Sequence, residues 1–130
     1  MAVFLQAAAL LGKTGKTEEE AAVALPLLRP TAIGPDGRIL EWAEPCGEPE
    51  PGHRHISHLF GLFPGNEIDP DSTPELAAAA ERSLRYRLTH GGGYTGWSRA
   101  WTVGLWAHLH QGEEVERNLR ALLTESTFVT

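Results

Sequence analysis

The sequence predicts an all-α fold, part of a helical barrel or of a stack of helical hairpins, and three observations carry that expectation. Apolar residues recur at helical spacing, most clearly between Trp97 and Leu109. Capping and stop signals bound the periodic stretches. One long connection, from Arg29 to Pro70, separates the helices and is too rich in aromatic and aliphatic residues to read as disordered.

The first element is a short apolar helix over Ala2 to Leu11, with Gly12 placed to end it as the residue after the C-cap. Thr17 is positioned to cap a second helix reaching about Leu28. Its first turn would hold Glu18, Glu19 and Glu20, whose charge favours the positive end of the helix dipole, and Pro26 interrupts its last turn. The long connection follows, with turn signals at Gly34-Pro35-Asp36-Gly37 and again from Gly47 to Gly52. Trp42, three histidines, Leu59, Phe60, Leu62 and Phe63 lie within it. Ser72-Thr73-Pro74-Glu75 then combines a capping hydroxyl, a proline at the first helical position and an early glutamate, which starts a helix running from Pro74 to about Thr89. Gly91-Gly92-Gly93 stops it. A further helix begins near Trp97, where Trp97, Trp101, Leu105 and Leu109 recur every fourth residue and Ala100 and Trp106 widen the face. Trp101 and Leu105 are expected in the core. After a turn at Gln111-Gly112, the last helix, Glu113 to Thr124, sets Val115, Leu119, Leu122 and Leu123 on one side and should pack antiparallel to its neighbour.

Composition narrows the functional classes. At 130 residues and 42% hydrophobic content the chain is of single-domain size and able to bury a core. A net charge of -6 opposes binding to nucleic acid phosphates. No apolar run reaches the roughly 20 residues of a membrane helix. The N-terminal apolar stretch has no basic residue ahead of it, unlike a secretory signal. The single cysteine, Cys46, forbids an internal disulfide and a cysteine-rich zinc site but leaves the cellular compartment open.

Chemistry concentrates in His53-Arg54-His55-Ile56-Ser57-His58, three imidazoles and a guanidinium in six residues. Taken singly, each histidine reads equally well as a structural hydrogen-bonder. A zinc site would need three ligands of fixed geometry and a supporting second layer of contacts, so no metal and no cofactor is expected. An arginine fork beside imidazoles that donate or accept is instead a mixture suited to sugar hydroxyls. Trp97, next to the glycine-rich turn, is placed to line a cavity, whereas Trp101 and Trp106 read as core. The run Gly91 to Gly96 lacks the lysine and spacing of a phosphate loop and reads as a tight turn. Gly12-Lys13-Thr14-Gly15-Lys16-Thr17 has the ending of such a loop without its leading glycine or a preceding strand. The acidic loop from Glu41 to Glu50 offers several carboxylates, and spacing alone names no catalytic pair among them.

Four runs together resemble glycoside hydrolase family 95: GPDGRILEW (34–42), HRHISHLFGLFPGNEI (53–68), TPELAAAAERSLRYR (73–87) and GGGYTGWSRAWTVGLWAHL (91–109). The likeness spans nearly the whole chain, residues 1–130 reading as a fragment of that family's catalytic domain. What it implies is a partial (α/α)6 barrel, a helical toroid, with the long loop bordering a fucose pocket. The family's members are inverting α-L-fucosidases, some acting on α-L-galactosides. Arg54 and His55 match family positions that contact the sugar, and His53, His58 and Trp97 are expected to line the same pocket. The family's paired asparagines and acid glutamate would lie upstream of Met1, and the aspartate of its Phe-Gln-Ile-Asp-Gly-Asn motif after Thr130. Phe128-Val129-Thr130 departs from the Pro-Asn such enzymes carry there. The resemblance therefore implies a fucosylated glycan as the binding partner and no turnover by the isolated chain, while charge and hydropathy argue against a nucleic acid or membrane partner. It also implies association with the remainder of a barrel or with itself. The competing expectation is a non-catalytic helical carbohydrate-binding or protein-interaction module.

Overall fold

The computed structural model describes residues 2–127, so the Phe128-Val129-Thr130 ending lies outside the described residues. Five α-helices appear in the order α1 (Ala2–Leu10), α2 (Lys16–Ala24), α3 (Pro74–Thr89), α4 (Gly96–His108) and α5 (Gly112–Glu125). Short 3-10 turns occupy Leu25–Leu27 and Ser57–Leu59. One isolated antiparallel bridge, Ile33 to Ile39, is the extent of β pairing among the described residues, and no helix is long and apolar enough to cross a membrane. The chain forms two compact units, Met1–Pro30 and Thr31–Thr130.

In the first unit Gly12 ends α1 as anticipated, with a φ of 60° that a side chain would resist. Thr17 does not cap α2: the helix starts one residue earlier, at Lys16, and Gly15 stands at the cap with no side chain to bond. Pro26, which lacks a backbone N–H, leaves α2 to finish as the 3-10 turn rather than continue to Leu28.

The second unit is built on α3, α4 and α5. The hydroxyl expected to cap α3 is used elsewhere. Thr73 Oγ1 receives the Asp69 amide at 2.8 Å and donates to the Asp69 carbonyl at 3.1 Å, so it closes the preceding turn. The Asp69 carboxylate accepts the amides of Asp71 and Ser72. At the other end, Gly91 and Gly93 take φ values of 89° and 74° and break the helix. Thr95 caps α4, a role the sequence reading did not assign, its side chain accepting the Ser98 amide at 3.3 Å. The turn into α5 is reached through His110 at a φ of 58°, one residue ahead of the expected Gln111-Gly112.

The buried stripe of α4 runs through Ser98, Thr102, Leu105, Trp106 and Leu109. A strict four-residue repeat advances about 40° around a 3.6-residue helix at each step, so a line from Trp97 to Leu109 cannot stay on one face. Trp97 consequently emerges 59% exposed, and Trp101 is half-buried against the core while Leu105 is fully enclosed. The core itself joins Leu59, Leu62 and Ile68 of the long connection to Ala79, Ala80 and Leu84 of α3 and to Leu105 and Trp106 of α4. Enclosing each such leucine is worth about 1.5–3 kcal/mol, which is enough to hold an irregular segment in place. On α5, Val115 packs on the core, but Leu119 and Leu123 are exposed and the buried position is Asn118. Asn118 accepts from Arg99 of α4 at 3.2 Å and donates to the Glu114 carbonyl at 2.8 Å.

Candidate sugar-binding site

Turn chemistry fixes the first part of the site. Over Gly34-Pro35-Asp36-Gly37 the chain reverses, with Gly34 donating to the Arg38 carbonyl at 2.7 Å and Gly37 at a φ of 78°. The turn docks on α3 through the Arg82 Nε–Gly37 carbonyl bond and the Ile39 amide–Ser83 Oγ bond, both below 3 Å. This carries Glu41 and Trp42 to the end of α3, beside Arg87.

Two glycine and hydroxyl contacts fix the second part. Gly52 lies so close to the turn after α3 that any Cβ there would collide with the His90 carbonyl oxygen. The Arg54 carbonyl accepts from Ser98 Oγ of α4 at 3.1 Å. His53 Nδ1 receives the His55 amide at 3.1 Å. Held this way, four rings form a file: His53 to His55 at 4.8 Å and His55 to Trp97 at 5.4 Å, both edge to face, and Trp97 to Trp101 tilted at 5.3 Å. Trp101 anchors the file, its indole N–H bonding the Phe63 carbonyl at 2.8 Å.

His53, His55, Ser57, Glu41, Trp42 and Arg87 share one open cleft of about 440 Å³, within the range of small-molecule sites. Trp97 borders a second hollow, apolar, shared with Phe60, Phe63, Pro64 and Trp101. The Arg54 side chain is exposed at the rim of the loop rather than lining the cleft. His58 is separated from the other histidines. Its side chain is only 5% exposed, and it borders a small cavity of about 70 Å³ beneath Glu41.

Below the cleft lies an ion network that the sequence did not announce. Arg87, buried on α3, donates to Glu41 Oε2 at 2.7 Å and to the Glu50 carbonyl at 3.4 Å, and stands 3.4 Å from Glu48. Arg38 pairs with Glu48 at 2.8 Å and with Asp36 at 2.7 Å, and its guanidinium sits over the Tyr86 ring. Burial opposes the charge on Arg38, but Asp36 and Glu48 outweigh it and raise its pKa. Removal from water favours neutral His58 and lowers its pKa; Glu41 and Glu48 pull the other way, while Arg87 and Arg38 add to the lowering. The signal that could have revealed Arg87 is its place four residues after Ser83 on the alanine-rich side of α3, a charge on a face otherwise buried. Trp42, exposed at the cleft, was visible in sequence but not selected.

Among the described residues no group of three or more His, Cys, Asp or Glu side chains is arranged to hold a metal ion. The cleft lining combines an exposed indole, two imidazoles and three glutamates, which together supply hydrogen-bond donors and acceptors beside an apolar ring.

Comparison with known proteins decides the family. The model of the glycosyl hydrolase family 95 catalytic domain matches residues 1–130. The chain belongs to glycosyl hydrolase family 95. Its all-helical architecture is accordingly a partial (α/α)6 barrel. Similar proteins include alpha-L-fucosidase 2 of Arabidopsis thaliana, 46% identical over 115 residues, which is 88% of this chain and 13% of the relative. Probable alpha-fucosidase A of Aspergillus niger is 31% identical over 97 residues, 72% of this chain and 12% of the relative. A protein of the same name from Aspergillus oryzae is 32% identical over 105 residues. The chain thus spans about an eighth of the length of these relatives.

Proposed function

We propose that this chain supplies one wall of the fucose pocket of an inverting α-L-fucosidase-type glycoside hydrolase acting on fucosylated glycans. The acid and base come from residues outside the chain's own motifs. The observation that carries the reading is the locked loop 52–58, where Gly52 and the Arg54 carbonyl are pinned to the ends of α3 and α4 and His53, His55 and Trp97 interlock beside an open cleft. Family membership and the fucosidase names of the relatives support it.

In an inverting hydrolysis one carboxylic acid protonates the glycosidic oxygen while a base activates water on the opposite face of the ring. Residues of the present chain would contribute before that step. From the rim of the loop beside the cleft exposed Arg54 presents N–H donors to ring hydroxyls, His53 and His55 donate or accept, and the face of an exposed tryptophan ring meets the apolar face of the sugar.

The decisive experiment replaces the matching stretch of a full-length relative with this chain and measures hydrolysis of aryl α-L-fucosides. The chimera is expected to turn over and the isolated chain to be no faster than buffer. In the chimera, Arg54→Ala should lose about 1–3 kcal/mol of transition-state stabilisation with folding nearly unchanged. Turnover by the isolated chain that disappears on changing one of its own carboxylates would overturn the reading. An inactive chimera whose isolated segment still binds L-fucose would instead favour a non-catalytic carbohydrate-binding module.

A further inference from the structure

We propose that Glu41 is a substrate-binding residue that receives a hydroxyl of the bound sugar, and that Arg87 is the positioning residue that holds it for that purpose. The proposal rests on the reading of the cleft as a sugar site. Three observations lead to it.

First, Glu41 is reached from the cleft while being fixed from behind, whereas Glu48, 22% exposed in the same lining, has its Oε1 taken by Arg38 at 2.8 Å and its Oε2 buried. The Glu41 side chain is 24% exposed against 6% for Arg87, and both line the same cleft as His53 and His55. Second, its bonds leave acceptor capacity. Oε2 takes the Arg87 donor at 2.7 Å and Oε1 the Ser57 hydroxyl at 3.3 Å, whereas an ionised carboxylate offers about four lone-pair sites. A sugar hydroxyl is the complementary donor, and a hydrogen bond to a charged acceptor is the stronger kind. Third, the surroundings oppose any other orientation. His58 Nδ1 lies 3.7 Å from Oε2, too far to bond, and is buried without a partner. Rotation of the carboxylate toward it would give up the 2.7 Å bond from Arg87, the shorter of the two carboxylate contacts of that buried guanidinium. Arg87 is itself held by the Glu50 carbonyl and faced by Glu48, which Arg38 neutralises from the other side.

A binding carboxylate and a merely structural one make different demands on substrate. The test uses the active chimera described above, with an aryl α-L-fucoside and analogues each lacking one ring hydroxyl. Glu41→Gln should lower kcat/KM for the parent fucoside by roughly 10- to 100-fold. For the one analogue lacking the hydroxyl that Glu41 receives, that loss should shrink to within about threefold. Arg87→Lys, which keeps charge but loses the planar fork, should raise KM more than it lowers kcat and weaken the same discrimination. Equal loss by Glu41→Gln on every analogue, or no loss on any, would overturn the proposal and leave Glu41 a structural ion. Melting curves of both variants separate that result from unfolding. If Arg54→Ala also left turnover untouched, the sugar-site reading itself would fall. Sensitivity to Arg54→Ala with indifference to Glu41→Gln would sink only the present inference.

Discussion

His58 is in sequence one of three clustered histidines, yet its side chain is enclosed while those of His53 and His55 border the cleft. Enclosure lowers its pKa from the ordinary 6.5, so the folded chain keeps it neutral at pH values where the unfolded chain protonates it. Proton uptake by the unfolded state alone means stability is lost as pH falls through about 6.5 and levels off only below the folded pKa. Melting temperature measured between pH 8 and 5 should therefore drop, and His58→Gln should flatten the drop. An unchanged slope in the variant would show that another group is responsible. The depressed pKa values of Asp69, held first by the Ser72 amide, and of Asp36, held first by the Arg38 amide, act in a lower window, below the ordinary 3.8. The residue-scale lesson is that the identity of the clustered histidines was readable but their division was not. Which imidazole faces water depends on Ile56 and Leu59 being pulled into the core on either side of it, a long-range packing decision.

At the scale of elements, α3, α4 and α5 lay close to their expected bounds, because proline and glycine signals and the apolar period act locally. Thr73 stands at the N-cap of α3, but its hydroxyl is taken by Asp69, and α2 begins ahead of Thr17 with Gly15 at its cap. The meeting of the long connection with α4 was not legible at all, and it turns on Gly104. A Cβ at that position would come within 2.5–3.1 Å of three atoms of the Phe63 ring. In an unconstrained helix Gly→Ala gains up to about 1 kcal/mol of propensity. Here the Phe63 carbonyl is tied to the Trp101 indole, so the ring has little room to withdraw. Overpacking of this kind costs about 1–3 kcal/mol, and Gly104→Ala should be a net destabilisation by thermal or urea melting. Trp101→Ala should destabilise more, by roughly 3 kcal/mol, through lost burial and the released Phe63 carbonyl. A stabilised Gly104→Ala would mean the ring is free to move.

For the molecule as a whole, the all-helical class was legible from periodicity, and the family from four motifs whose residues turn out to be the ones that dock the long connection on α3 and α4. The apolar side of α5 was also visible, but not its exposure: Leu119 and Leu123 are 44% and 66% accessible. Contiguous apolar surface of this sort drives association. Light scattering of the isolated chain should show concentration-dependent oligomers, reduced in a Leu119→Glu, Leu123→Glu double variant; a monodisperse monomer would count against the expectation. The bonds that build the cleft share a further property. Ile39 to Ser83, Glu41 to Arg87, Arg54 to Ser98 and Phe63 to Trp101 are separated by 44, 46, 44 and 38 residues along the chain. Each joins a segment made earlier to a helix made later, and closing such spans is entropically slower than winding a helix. A ribosome finishing residue 68 has therefore produced every loop residue of the cleft and none of the surface on which it rests. For some forty residues of synthesis the histidines wait, unshaped, for the helices that will give them their positions.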